Sequence, residues 1–457
     1  MAASADLLIK NGRVVTQSHI FEGAVAVKDE KIFSITSNEA APPADKVINA
    51  SGLYVLPGII DVHVHLRDPG FTYKEDFGTG TAAAAAGGVT LVFDMPNNSP
   101  PIKDVNALSL KIKGVGQKAL VDYSLYGLVT GGSLQEMPLL AKAGVIGFKC
   151  YMGETTGKIL PPSDGEMVDQ FIEASKLDMR VATHAENDSI LQYRIEKLKF
   201  EGRTDAHAHL ESRPSLVEEE AVKRALLYAR RSSEKKCKIH VTHLSSESGV
   251  EAISEARLRS DPVTADTCPH YLLLDESHYS KLGSLMKINP AIKSAADRAS
   301  LWTAIRSGTI DMISTDHSPH TLEEKTRSNI FDCASGFPGL ETSVPLMLTE
   351  VNKGMISLTQ YVKLTSANPA KAWGIYPAKG SLQIGSDADL TIVDMKARSK
   401  INAEKFYTKA KWSPFDGFEV EGLPLYTIVR GQIVMEKGVV DTKTARGKMI
   451  TPCNTTN

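Results

Sequence analysis

The chain has 457 residues, 42% of them hydrophobic and 23% charged, with a formal net charge of −2. That is enough apolar material for a large core and more than one domain. It leaves neither the polycation a nucleic-acid binder needs nor a basic face for a membrane. The five cysteines (Cys150, Cys237, Cys268, Cys333, Cys453) are scattered without a Cys-x-x-Cys pair, which excludes a thiolate zinc site and a disulfide framework. A reducing cytoplasm is therefore the expected location. The N-terminus shows no charged and apolar leader, and no apolar run is long enough to span a bilayer.

Residues 6–50 read as short strands: Asp6–Lys10, Arg13–Thr16, Gly23–Val27 and Lys31–Ile35. The Asn11-Gly12 pair predicts a hairpin between the first two. From residue 55 the texture changes to strands separated by helical stretches. Eight strands are expected: Ile59–Leu66, Thr90–Met95, Val121–Val129, Gly144–Met152, Arg180–Glu186, Lys238–Ser245, Val263–Leu274 and Thr309–Ser314. Several are continuous apolar runs, as parallel strands covered on both faces require. Helices are expected at Gly78–Ala86, Ser163–Lys176, Leu216–Arg231 and Ala295–Arg306.

Eight such units match the roughly 250 residues of a closed (β/α)8 barrel. No Gly-x-Gly-x-x-Gly follows the first strand, which argues against an open doubly wound sheet. After Ile375 alternating strands return at Asp389–Asp394, Leu425–Arg430 and Gly431–Glu436. The fold expected is α/β: a (β/α)8 TIM-type barrel with a small β-sandwich built from both termini. Residues 1–57 would form the N-terminal part of the sandwich, 58–373 the barrel, and 374–457 the rest of the sandwich and a loosely ordered tail after Thr442.

Chemistry in such barrels sits at the C-terminal strand ends. His63-Val64-His65 ends the first strand, where side chains two apart share a face and make half of a divalent-metal site. A lone pair of this kind serves equally well as two satisfied core histidines. Further strand ends add Lys149, His184, His243 and Asp316. His240 and His243, three apart in a strand, face opposite sides, so only one can point inward. His207 and His209 lie in a polar stretch and read as surface residues, as do His19 and His278. Lys149 is the unusual member, because an unpaired ammonium is costly to bury. Either its head reaches a carboxylate at the barrel mouth, or carbon dioxide has converted it to a carbamate able to bridge two metals.

The motifs Asp61-Val-His-Val-His, Gly147-Phe-Lys, His184-Ala-Glu, His243-Leu-Ser-Ser and Thr315-Asp-His-Ser-Pro-His resemble the cyclic amidohydrolases of the amidohydrolase superfamily. Terminal segments such as Gly385-Ser-Asp-Ala-Asp-Leu extend the likeness over nearly the whole chain. The resemblance implies two zinc ions, one held by His63, His65 and Asp316 and the other by His184 and His243, with carboxylated Lys149 between them. Asp316 is the implied catalytic acid–base group. A small cyclic amide is the implied partner, with no nucleic acid or membrane, in a homo-oligomer (dimer or tetramer).

Among cyclic amidohydrolases the chain is most similar to dihydroorotases of pyrimidine biosynthesis. Arg67, Asn97, Asn289 and His320 resemble the positions that hold dihydroorotate, whose carboxylate calls for a cation. Thr155 stands where hydantoinases carry a tyrosine. Against this, Ser212-Arg213-Pro214, Glu218 to Val222, Cys268-Pro269-His270-Tyr271 and Gly339 to Pro345 look more like allantoinases and hydantoinases. Arg67 could instead pair with Asp68, Glu75 or Asp76, and Asn97 could simply make a turn. A non-catalytic scaffold of this fold is the alternative of another class, although such proteins usually break the ligand set that this chain keeps.

Overall fold

The computed structural model describes residues 4–153, 155, 157, 159–231, 235–444 and 446–452. Cys453 lies outside them. Five strands open the chain: β1 (Ala5–Val15), β2 (Ile20–Lys28), β3 (Lys31–Thr36), β4 (Ala44–Asn49) and β5 (Tyr54–Pro57). The barrel follows with β6 (Ile59–Val64), β7 (Val89–Asp94), β8 (Asp122–Val129) and β9 (Gly147–Tyr151). It continues with β10 (Arg180–His184), β11 (Lys238–Val241), β12 (Val263–Thr267) and β13 (Met312–Ile313). Four more strands end the chain: β14 (Leu390–Lys400), β15 (Glu419–Val429), β16 (Gln432–Glu436) and β17 (Val439–Val440).

β6 to β13 pair in sequence order, and all the pairs are parallel. The ring closes where Val64 meets His317 in a parallel bridge and the His65 N–H donates to the His317 carbonyl at 2.8 Å. Every residue of β7 and β8 is buried, which explains their unbroken apolar reading. Phe93 and Tyr126 stand edge-on to Trp373, with ring centroids 5.5 and 6.4 Å apart, so the interior is packed rather than hollow.

Strands from both ends of the chain form a second, mixed sheet in the order β17-β16-β15-β14-β5-β1-β2-β3, with β4 on β1. Leu7, Val14, Val25, Leu390, Ile392 and Ile428, drawn from both halves of that sheet, share one core. This is the expected α/β barrel with its flanking β-sandwich.

The helix starts follow capping chemistry. Ser163 caps Asp164–Lys176 and Ser294 caps Ala295–Ser307, each in a reciprocal box with Glu166 or Asp297. Among the described residues, no helix is long and apolar enough to cross a membrane.

Three local expectations are corrected. Asn11-Gly12 makes no hairpin: β1 runs through it as a bulge. Asn11 takes φ 62°, its amide reaches Asn49 at 3.0 Å, and a Cβ on Gly12 would lie 2.9 Å from the Ala50 Cβ. The seventh barrel strand ends at Thr267, because Pro269 starts a short helix over Pro269–Leu273. Beyond Thr442 the described tail is tied to the barrel: the Ile450 N–H donates to the Tyr123 carbonyl at 2.8 Å and the Tyr123 N–H donates to the Lys448 carbonyl at 3.0 Å.

Candidate metal centre and substrate pocket

Three buried aspartates of the barrel strands shape the turns that carry the site. Asp61 accepts the N–H groups of His63 (3.1 Å) and Thr315 (3.2 Å) and the Thr315 hydroxyl (2.5 Å). That ties β6 to the turn after β13 and brings the His63 and Asp316 side chains together. Asp266 accepts the His243 N–H at 2.6 Å, and Asp94 accepts that of Leu66 at 2.7 Å. The turns are strained: Arg67, His243 and Asp316 take φ of 61°, 43° and 47°. Such left-handed backbone costs about 1–3 kcal/mol per non-glycine residue and persists only where surrounding contacts enforce it.

Asp316 Oδ1 lies 3.3 Å from His63 Nε2 and 3.2 Å from His65 Nε2. These three ligand atoms lie within 4.8 Å of one another. His184 Nδ1 is 3.0 Å from His243 Nε2, and the His63 and His243 ring centroids are 5.1 Å apart. The fully buried Lys149 donates to the Thr242 hydroxyl at 3.0 Å and stands 5.2 Å above the Tyr151 ring. The structure thus brings His63, His65, Lys149, His184, His243 and Asp316 to one rim.

The donor set fits divalent cations. Burial holds the His63, His65 and His243 imidazoles well below their ordinary pKa, so they are neutral and offer lone pairs. His65 Nδ1–H donates to Asn97 Oδ1 at 2.8 Å, leaving Nε2 free toward Asp316. His184 Nε2–H donates to Glu186 at 2.9 Å, leaving the Nδ1 lone pair turned toward His243 Nε2. His63 Nδ1 and His243 Nδ1 are buried without hydrogen-bond partners among the described residues. Burial also raises the Asp316 carboxyl and lowers the Lys149 amine. A neutral lysine amine is the form that adds carbon dioxide.

The rim opens into a cavity of about 490 Å³ lined by Asn97, Thr155, Asn289 and His320 as well as the histidines and Asp316. Arg67 lies behind this wall, 1% exposed. Its Nη2 donates to Ser318 at 2.9 Å and to His320 Nε2 at 3.1 Å. Its Nε lies 3.4 Å from the Pro319 carbonyl, and its Nη1 has no hydrogen-bond partner among the described residues. The pairing with Asp68, Glu75 or Asp76 considered from sequence is not made among the described residues. Among the described residues, Asn289 Oδ1 is likewise buried without a partner.

His209 is not a surface residue. It is 2% exposed, lines the cavity and bonds the Ile288 carbonyl at 2.9 Å. Residues Ala206–Ser212 form a helix capped by Asp205, so His207 and His209 point to different sides; His207 and His19 are exposed as expected, and His278 is partly buried. His240 does face away from the rim, bonded to Asp266 at 2.7 Å and packed on Trp373.

Sequence reading missed Asp61, Asp94 and Asp266, although a carboxylate inside an apolar strand is itself a signal. It also missed Glu186, which pairs with Arg213 and holds His184.

The Amidohydrolase family model matches residues 54–434. An L-hydantoinase of Paenarthrobacter aurescens is 37% identical over 454 residues, covering 98% of each chain. A dihydroorotase of Pyrococcus abyssi is 38% identical over 443 residues, covering 97% of this chain and 98% of the relative. The solved L-hydantoinase (dihydropyrimidinase) from Arthrobacter aurescens, 37% identical, superposes with a TM-score of 0.95 over 98% of this chain and 100% of that one. The chain belongs to the amidohydrolase family, among its enzymes that act on cyclic amides.

Proposed function

We propose that the protein is a dihydroorotase, interconverting N-carbamoyl-L-aspartate and L-dihydroorotate. The observation that carries this is the buried Arg67 guanidinium, with its Nη1 unpaired among the described residues and its bond to His320 beside the metal ligands. A buried cation without a carboxylate partner favours a substrate that brings one.

His63, His65 and Asp316 would hold one divalent cation and His184 and His243 a second, with carboxylated Lys149 between them; zinc suits these nitrogen and oxygen donors. Bound there, the cations supply Lewis acidity and lower the pKa of a water. Asp316 takes that water's proton as the oxygen adds to the ring carbonyl carbon. It returns the proton to the ring nitrogen as the C–N bond breaks. Ring closure runs the same steps backwards and releases water. Asn97 and His320 meet the substrate carboxylate from the cavity wall, the Arg67 guanidinium bonded to His320 supplies the counter-charge from behind it, and Asn289 faces the ring. A cytoplasmic homo-oligomer goes with this reading, and Cys150, Cys237, Cys268 and Cys333 are all free and buried thiols.

A second reading, hydantoin hydrolysis, is favoured by the near-complete superposition on the L-hydantoinase. Ile195 and Phe331 in the cavity wall would also suit an apolar ring substituent. Initial rates on dihydroorotate, N-carbamoyl aspartate, allantoin, hydantoin and dihydrouracil decide between them. The highest kcat/KM is expected on dihydroorotate; a tenfold preference for hydantoin or allantoin overturns the dihydroorotase reading. Protein that purifies without zinc and turns over none of the five would be a scaffold.

A further inference from the structure

Two lysines near the cavity are buried with only carbonyl oxygens as acceptors among the described residues. Lys325, fully buried, donates to the Lys287 carbonyl at 2.7 Å and the Ala334 carbonyl at 3.0 Å. Its ammonium stands 5.4 Å from the centre of the Trp412 ring. Lys287 in turn donates to the carbonyls of Ile330 (2.6 Å), Phe331 (3.3 Å) and Cys333 (2.5 Å). The Lys287 carbonyl also accepts the Gly336 N–H at 2.9 Å. Trp412, which belongs to the segment between β14 and β15, donates its indole N–H to the His320 carbonyl at 2.9 Å.

Burial without a carboxylate is expensive for an ammonium, and it pushes both amines below their usual range. A methionine would fill the volume of Lys325 without that cost. What only the amine supplies is several N–H donors at one point. The amine donors hold the turn carrying Asn289 and the segment that places Phe331, Cys333 and Ala334 in the cavity wall, while the Trp412 indole N–H holds the turn carrying His320.

We infer that Lys325, with Lys287 and Trp412, is a positioning hub that fixes three loops of the substrate wall against the metal centre, so that the C-terminal β domain helps to set substrate affinity. The inference rests on the proposed function only in taking this cavity as the substrate's. It predicts a change in KM and not in the chemical step.

The test is steady-state kinetics of Lys325→Met and Trp412→Phe in the full-length, zinc-loaded protein, on dihydroorotate and in parallel on hydantoin. On whichever the parent protein turns over, KM should rise about tenfold for Lys325→Met and at least threefold for Trp412→Phe. In both variants kcat should stay within threefold and bound zinc should be unchanged. Alkylation of Cys333, followed by peptide mass spectrometry, should be faster in Lys325→Met as the wall segment loosens. If Lys325→Met fails to fold, Trp412→Phe decides the matter, because its ring still lies under Lys325. KM within twofold of the parent overturns the hub, as does a fall in kcat that tracks lost zinc. Preference for hydantoin over dihydroorotate in the parent protein would overturn the dihydroorotase assignment while leaving the hub intact.

Discussion

Replacing Arg67 with methionine isolates the charge that the proposed substrate requires. The side chain is 1% exposed, and its Nη1 has no hydrogen-bond partner among the described residues. A hydrogen bond to a charged group contributes about 1.5–3 kcal/mol. Two unit charges about 4 Å apart at an effective dielectric near 20 attract by about 4 kcal/mol. At about 1.4 kcal/mol per tenfold, kcat/KM on dihydroorotate should fall by about 10- to 1000-fold, mostly through KM. The fold should tolerate the change. The variant loses bonds to Ser318, the Pro319 carbonyl and His320, but it also removes a buried cation, and the φ of 61° strains methionine no more than arginine. The assay is initial rates spanning KM on dihydroorotate and on hydantoin, which has no carboxylate, with zinc measured on the same protein. Hydantoin turnover should change by less than about threefold, because uniform loss would mean a damaged site and not a missing counter-charge. A fall of less than threefold on dihydroorotate, or equal falls on both substrates, refutes the reasoning.

Asp316→Asn should lower kcat by at least about 10²- to 10⁴-fold, the usual contribution of a positioned acid–base group, while calorimetry still detects substrate binding; near-normal turnover excludes the proton-carrier role. Dialysis against a chelator should abolish activity and lower Tm, since ligands of the native state stabilise it, and added zinc should restore both; full activity after zinc removal rules out the metal centre. His270 gives a pH dependence. Burial pushes its imidazole down to about 3, against about 6.5 in an unfolded chain. Between those values the unfolded chain binds the extra proton, so the native state loses stability as pH falls through that window. His270→Leu should therefore lose less stability than the parent between about pH 7 and pH 4, by about 3 kcal/mol at 1.36 kcal/mol per pKa unit, read from urea unfolding. Parallel curves for the two proteins refute the burial argument.

The parts legible in the sequence are those where one physical rule governs a stretch on its own. Parallel strands buried on both faces leave long apolar runs, and a barrel puts its chemistry at their C-terminal ends. That is why His63, Lys149, His184, His243 and Asp316 stand out from the sequence even though nothing local shows their proximity. Misreadings arise where a residue type serves two geometries. Asn-Gly fits a hairpin and also a left-handed bulge, and only Ala50 and Asn49 on neighbouring chain decide for the bulge. A polar run with two histidines reads as surface until a helix turns His209 inward onto the Ile288 carbonyl. Least legible are contacts whose two ends lie far apart in the chain. Trp412 supports His320 across 92 positions, and Asp61 holds Thr315 across 254. No local pattern announces such a pair, since each residue alone has an ordinary reading as core or cap. Metal-binding side chains can thus be recognised one strand at a time, whereas the bonds that aim them exist only once the barrel has closed.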